Sequence, residues 1–376
     1  MNILICPDKF KNCLNAHTVA SGIQKGILKV LPDAVFKIFP MADGGEGTVE
    51  ALTKATDGYI ENVNVHDPLM RRIDAFIGIS GDNETAFIEM SAASGLALLK
   101  PEERNPMVTS SFGTGELIRF AMDKGVKEII LGIGGSATTD GGMGMAQALG
   151  VSITDDTGWE TEPGAISMGR IFQINLKNLD PRIRECKIYA ACDVKNPLTG
   201  PSGAAYVFGP QKGANPYMVM KLDAHLKHLA QIFRKQLQAE VEELPGAGAA
   251  GGLGAGIVAF LNGTLSPGFE LISRITKLDE WISWADLVIT GEGKMDLQTA
   301  FGKTPSGVAG MARKFNKPVI AFTGAIGDIP VSSGFDAVIP LADKPMTPEQ
   351  SMADAERLLE NAAERTFKIM ELGKKF

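Results

Sequence analysis

Residues 134 to 142 read GGSATTDGG, placing four glycines, three hydroxyls and one carboxylate in nine positions. The apolar run before it, Ile129 to Ile133, reads as a buried strand, and Met143 to Leu149 reads as a small-residue helix. A strand-to-helix corner of this composition can turn backbone N–H groups and a helix N-terminus toward an anion, which suits a phosphate-bearing ligand. Gly134, Gly135, Ser136, Thr138 and Thr139 are the candidate contacts. The same string fits a Gly-rich turn in which Thr139 or Asp140 caps the helix, and one residue can do both.

Other reactive side chains also fall just after apolar runs. Asp8 and Lys9 follow a strand candidate at Asn2 to Cys6; in a parallel sheet that is the edge at which α/β proteins hold ligands. Asp43 and Glu46 flank two glycines before a helix expected from about Thr48, either as a polar lip or as charges that satisfy the helix dipole. The strand Lys187 to Cys192 runs into Asp193, Lys195 and Asn196, an acid, a base and an amide within four residues. Lys212 stands between Gly209 and Gly213, facing either a phosphate donor or solvent. Asp286 to Thr290 leads into Glu292, Lys294 and Asp296, and residues 109 to 116, TSSFGTGE, offer either helix caps or a second polar wall.

Several chemistries are disfavoured. Gly302-Lys303-Thr304 resembles the tail of a P-loop, but no glycine occupies position 297, and Thr304-Pro305 reads as a cap and first helical residue. The run GAGAAGGLGAG, residues 246 to 256, lacks the preceding strand and later acid of a dinucleotide fingerprint; its small residues suit close packing instead. His225 and His228 have no cysteine nearby, His17 and His66 are isolated, and the four cysteines form no CxxC, so a His/Cys metal site is not expected. A net charge of −7 without a dense basic tract argues against nucleic acid. No apolar stretch is long enough for a signal peptide or a membrane span, and a reducing cytoplasm is the expected setting.

A chain of 376 residues suggests two domains. Asn2 to Cys6, a helix over Thr18 to Leu31 with Val19, Ile23, Ile27 and Leu31 in phase, and Val35 to Phe39 make a strand–helix–strand layer. Between residues 60 and 90, three short strand candidates are split by HDPLM and SGDN, which suit hairpins and a mixed sheet. A long helix after Pro216 carries Leu222, Leu226, Leu229, Phe233 and Leu237 on one stripe. The tail alternates again, with a helix over Pro305 to Phe315, strands at Pro318 to Thr323 and Ala337 to Leu341, and a last helix over Pro348 to Leu372. The expected division is a parallel α/β domain from residues 1–60 and 185–376, carrying an inserted mixed α/β domain of residues 61–184.

Seven strings in order, PDKFK at 7 to 11, ADGGEGT at 42 to 48, FGTGE at 112 to 116, GIGGSATTDGG at 132 to 142, CDVKNPLTGP at 192 to 201, FGPQKGA at 208 to 214 and TGEGKMD at 290 to 296, span almost the whole chain. With them the chain closely resembles the bacterial type I glycerate kinases. The resemblance implies transfer of the ATP γ-phosphoryl group to glycerate with Mg²⁺. It also implies a flavodoxin-like parallel domain with an inserted mixed α/β domain and an active site in the cleft between them. Asp8, Lys9, Asp43, Asp193 and Asp296 match family motif positions. On that reading Asp193, Lys9 and Asp8 are the catalytic candidates, Asp193 serving as general base or, with Asp296, as a metal ligand. Gly134, Gly135, Ser136, Thr138, Thr139, Lys212 and Glu292 would hold the nucleotide; Asp43, Arg71, Lys195 and Asn196 would hold glycerate. Lys9 is preferred over Arg71 or Arg72 for the glycerate carboxylate. The expected product is 2-phosphoglycerate, and a sugar-acid or nucleotide binding protein without turnover is the alternative.

Overall fold

The computed structural model describes residues 1–11, 13–39, 41, 45, 47–296, 304–327 and 334–375. Among the described residues there are thirteen strands: β1 (Asn2–Ile5), β2 (Val35–Ile38), β3 (Tyr59–His66), β4 (Arg72–Ile79), β5 (Thr85–Glu89), β6 (Glu128–Gly132), β7 (Ser152–Thr154), β8 (Gln173–Asn175), β9 (Lys187–Ala191), β10 (Thr264–Ser266), β11 (Leu287–Met295), β12 (Val319–Ile326) and β13 (Ala337–Pro340). They fall into two compact units, one built from Met1–Asp43 with Ile272–Phe376 and the other from Gly44–Leu271.

The first unit is a five-stranded parallel sheet in the order β13-β12-β11-β1-β2. Ile3, Leu4 and Ile5 of β1 are fully buried, as expected of a parallel strand covered on both faces. The helix Ala16–Leu28 starts at Asn15, whose side chain accepts from the Thr18 N–H at 2.8 Å. Its Val19, Ile23 and Ile27 join Leu358, Leu359 and Phe367 of the helix Ala355–Gly373 in one core. The winding reverses between β1 and β11, so the carboxyl ends of these two strands flank a topological switch point.

Strand β11 differs from the sequence reading. Its pairing with β12 continues through Glu292↔Thr323 and Lys294↔Ala325 to Met295↔Ile326, so the GEGKM string lies inside the strand and not after it. A neighbour of eight residues, against the nine of β11, supplies ladder partners that outweigh two glycines. The expected single C-terminal helix is also split, into Pro348–Ala353 and Ala355–Gly373, at Asp354 (φ −111°).

The second unit holds a six-stranded mixed sheet in the order β10-β9-β6-β5-β4-β3. β10, β9, β6 and β5 run parallel, whereas β4 and β3 fold back antiparallel, as the hairpin signals predict. β7 and β8 form a separate antiparallel pair. The units change at 43/44 and 271/272, where the sequence reading puts its cuts near 60 and 184. The displacement at the second cut has a definite cause. β9 pairs with β6, and β10 pairs with β9, so residues 187–266 carry two strands of the mixed sheet. Among the described residues, no helix is long and apolar enough to cross a membrane.

Candidate active site

At the end of β6 the backbone surfaces at Gly134 and Gly135 and then dives, with Ser136 through Asp140 all buried. Gly135 has φ +72°, and a Cβ there would lie 3.3 Å from the Ser91 side chain; the conformation favours glycine while leaving the backbone accessible. Neighbouring segments fix the corner. The Leu96 N–H donates to Gly135 O at 2.8 Å, the Ala137 N–H to Ser94 O at 2.9 Å, and the Thr109 hydroxyl to Ala137 O at 2.9 Å.

Asp140 satisfies the capping reading. Its fully buried carboxylate accepts from the Ser111 N–H and hydroxyl, both at 2.8 Å, and from the N–H groups of Gly142 (3.3 Å) and Gly144 (3.2 Å) at the start of the helix Met143–Ala148. Burial pushes its carboxyl above the ordinary carboxylate range, and these hydrogen bonds pull in the opposite direction. The Ser111 hydroxyl also accepts from the Met145 N–H at 3.0 Å, so residues 109 to 112 are bolted to the corner. The hydroxyls of Thr138 and Thr139 are buried and have no hydrogen-bond partner among the described residues.

Lys212 is buried, not in solvent: it is 1% exposed, and its Nζ donates to Ser136 Oγ at 2.8 Å and to the Thr138 carbonyl at 2.6 Å. Burial lowers its pKa to about 7, while the negative charge of Asp140 pulls the other way. The turn Pro210–Lys212 is held by Gly213 (φ +96°), where a Cβ would come 2.2 Å from Arg104 O.

The glycine-rich run 246 to 256 supports the same corner, a role for which its small residues are the only sequence signal. Ala250, Gly251 and Gly252 are consecutively left-handed, at φ 53°, 68° and 89°. The Gly141 N–H donates to Gly251 O at 3.1 Å, and a Cβ on Gly251 would sit 2.0 Å from Thr138 O. Backbone meets backbone here, and only glycine fits.

Asp193 lies exposed after β9, and its Oδ1 accepts the Gly268 N–H at 2.9 Å at the start of the helix Gly268–Ile275. Lys195 is exposed; the Asn196 side chain donates to Ser202 O at 2.8 Å, shaping its own loop. Arg71 is already engaged by two carboxylates, with Nε on Asp67 Oδ2 at 2.6 Å and Nη1 on Glu103 Oε1 at 2.7 Å. That double pairing raises its pKa and neutralises the charge that an anionic substrate would need. Arg72 pairs with Glu116 at 3.2 Å.

In the first unit the Asp8 N–H donates to Gly291 O at 2.8 Å, and the Lys9 N–H donates to Asp8 Oδ1 at 2.7 Å. Glu292 follows Gly291 on β11, and both Asp8 and Glu292 are nearly buried. These residues occupy the switch point. Lys294 Nζ lies 3.6 Å from Asp296 Oδ2. Asp43, Glu46, Gly302 and Lys303 lie outside the described residues. Among the described residues, no three His, Cys, Asp or Glu side chains gather to hold a metal. His66 pairs with Glu116, and His225 and His228 bond to the carbonyls of Ala165 and Ile171.

Residues 3–371 match the Glycerate kinase family. The chain belongs to that family. It is 47% identical over 364 residues to the glycerate kinase of Halalkalibacterium halodurans, covering 96% of each chain. It is 49% identical over 341 residues to the glycerate 2-kinase of Escherichia coli, covering 90% of each. A crystal structure from Salmonella typhimurium, assigned by name to the same kinases, superposes with a TM-score of 0.91 at 45% identity over the whole of both chains. These matches correct the type I designation: the similarity is to the Glycerate kinase family and to a member named glycerate 2-kinase.

For a glycerate kinase family member, the corner passes a physical test for phosphate. Lysine carries three N–H donors, of which Lys212 uses two, both on neutral oxygens. A buried cation flanked by neutral acceptors and beside exposed glycine backbone lacks a contacting counter-charge that a phosphate oxygen would supply. Mg²⁺ takes one or two carboxylates and keeps most of its waters, so single oxygen donors such as Asp193 and Asp296 have the right chemistry for it.

Proposed function

We propose that the chain is a glycerate kinase that transfers the γ-phosphoryl group of ATP to the secondary hydroxyl of glycerate, giving 2-phosphoglycerate. The observation that carries this reading is the buried Lys212 side-chain nitrogen on Ser136 and Thr138, beside the accessible backbone of Gly134 and Gly135. Those residues hold phosphate oxygens in position, the main requirement of phosphoryl transfer. Mg²⁺, when bound, would neutralise phosphate charge; Asp193 and Asp296 each have the chemistry of a single-carboxylate ligand for it.

Asp193 accepts the proton of the attacking hydroxyl. The new O–P bond forms as the bond from the γ-phosphorus to the bridging oxygen breaks, and ADP leaves. Lys195 and Asn196 follow Asp193 on the same loop, and on this reading they line the acceptor. In the first unit, Asp8, Lys9 and Glu292 stand where doubly wound sheets hold ligands, and Lys9 supplies a cation for a carboxylate. Strand order there, with β1 between β2 and β11 and then β12 and β13, supports a flavodoxin-like winding. ATP as donor and four free cysteines suit a cytoplasmic enzyme.

Phosphorus NMR of the product from ATP, Mg²⁺ and glycerate tests the reading. The expected product is 2-phosphoglycerate. A product that is chiefly 3-phosphoglycerate overturns the regiochemistry, and ligand retained without any phosphoglycerate overturns the kinase.

A further inference from the structure

Lys212 departs from the usual pattern for a buried lysine, because among the described residues no carboxylate touches it. Its nitrogen contacts one hydroxyl and one carbonyl, and among the described residues it makes no ion pair. The charged groups near it are few. Asp140, on the glycine corner, acts on it through space, while its own oxygens are spent on Ser111, Gly142 and Gly144. The Arg104 carbonyl abuts Gly213, and among the described residues the buried Arg104 Nε has no hydrogen-bond partner. Residues 109 to 112 and 246 to 256, which pack on the same corner, carry no titratable side chain. Two buried hydroxyls without partners, those of Thr138 and Thr139, lie in the segment that Lys212 grips.

An ammonium so placed is costly without a ligand and favourable with one, since a low-dielectric surrounding strengthens its attraction for an anion as much as it penalises the lone charge. We propose that the oxyanion of a bound ligand at Gly134, Gly135 and Ser136 completes Lys212, and that Lys212 takes up a proton as this oxyanion arrives. The proposal rests on the phosphate reading of the corner and adds to it a proton linkage. The balance is simple: above about pH 7 the free enzyme holds mainly the neutral amine with its lone pair, one proton is drawn from solvent on binding, and the resulting ammonium donates to the oxyanion. With the lysine pKa near 7 in the free enzyme, roughly nine-tenths of the molecules carry the neutral amine at pH 8 and roughly one-tenth at pH 6.

Titration calorimetry with the Mg²⁺ complex of an ATP analogue whose γ-phosphate cannot transfer, repeated in buffers of different ionisation enthalpy, counts the protons. The expected uptake is close to one proton per site at pH 8, falling toward zero at pH 6. Binding and turnover without uptake at pH 8 overturn the proposal and leave the kinase standing. Failure of the analogue to bind, together with absence of phosphoglycerate, overturns both. Lys212→Met, if folded, should lose the uptake; uptake at the wild-type level overturns the assignment to this lysine. Should that variant not fold, Ser136→Ala serves instead: losing one acceptor of the ammonium displaces the midpoint of uptake to lower pH, and an unmoved midpoint overturns the proposal.

Discussion

The side-chain nitrogen of Lys212 lies 2.8 Å from the Ser136 hydroxyl across 76 residues of sequence. Burial lowers the lysine pKa from 10.5 to about 7, so between those values the unfolded chain binds more protons than the folded one. Stability contributed by Lys212 is therefore complete above about pH 10.5 and is lost as pH falls through about 7. In urea unfolding without ligand, the wild type should gain on Lys212→Met by up to about 1.4 kcal/mol per pH unit between pH 7 and 10. A difference that does not change with pH would contradict this.

Gly251→Ala tests the backbone contact beneath the corner. Its φ of +68° and a Cβ 2.0 Å from Thr138 O combine strain with a clash, for an expected loss of about 2 to 4 kcal/mol in urea unfolding. Gly125→Ala is the control: its φ is +80°, but no atom lies within 4 Å of the added carbon, so only about 1 kcal/mol should be lost. Equal losses would mean that the contact at Thr138 is not tight.

Asp193 combines a structural hydrogen bond with a proposed chemical role, and two substitutions separate them. Asp193→Asn keeps an acceptor for the Gly268 N–H, whereas Asp193→Ala removes it and should cost about 1 kcal/mol of stability. Both should lower kcat by about 100-fold or more. Steady-state turnover near the wild-type level in the Asn variant would remove Asp193 from the chemistry.

Arg71 is committed to Asp67 and Glu103, so Arg71→Gln should leave KM for glycerate within about twofold while costing about 1 kcal/mol of stability. A tenfold rise in KM would instead make Arg71 the partner of the substrate carboxylate.

Local patterns carried much of the architecture. The phase of Val19, Ile23 and Ile27 located the first helix, and turn signals at HDPLM and SGDN located the β3–β4–β5 meander. Signals that depend on distant partners were silent. β9 reads like any apolar strand, and only its pairing with β6 puts it in the mixed sheet. The length of β11 is set by β12. The glycine corner was legible as a strand-to-helix turn because its composition is local. Lys212 was ambiguous because its burial depends on Ser136 and Thr138, and nothing in FGPQKGA specifies them. The left-handed turn at Ala250 to Gly252 is likewise dictated by its neighbour across the contact.

The split origin of the first unit sets an order for biosynthesis. Asn2 and Asp286, which join through the Asn2 N–H and the Asp286 carboxylate, are 284 residues apart. At about 5 to 20 residues per second, β1 leaves the ribosome roughly a quarter of a minute to a minute before β11 can pair with it. All of Gly44–Leu271 emerges in that interval and has its own sheet to complete. The inserted unit can therefore complete its sheet before the first, and Ile3, Leu4 and Ile5 have no β11 to pair with until the last hundred residues are translated.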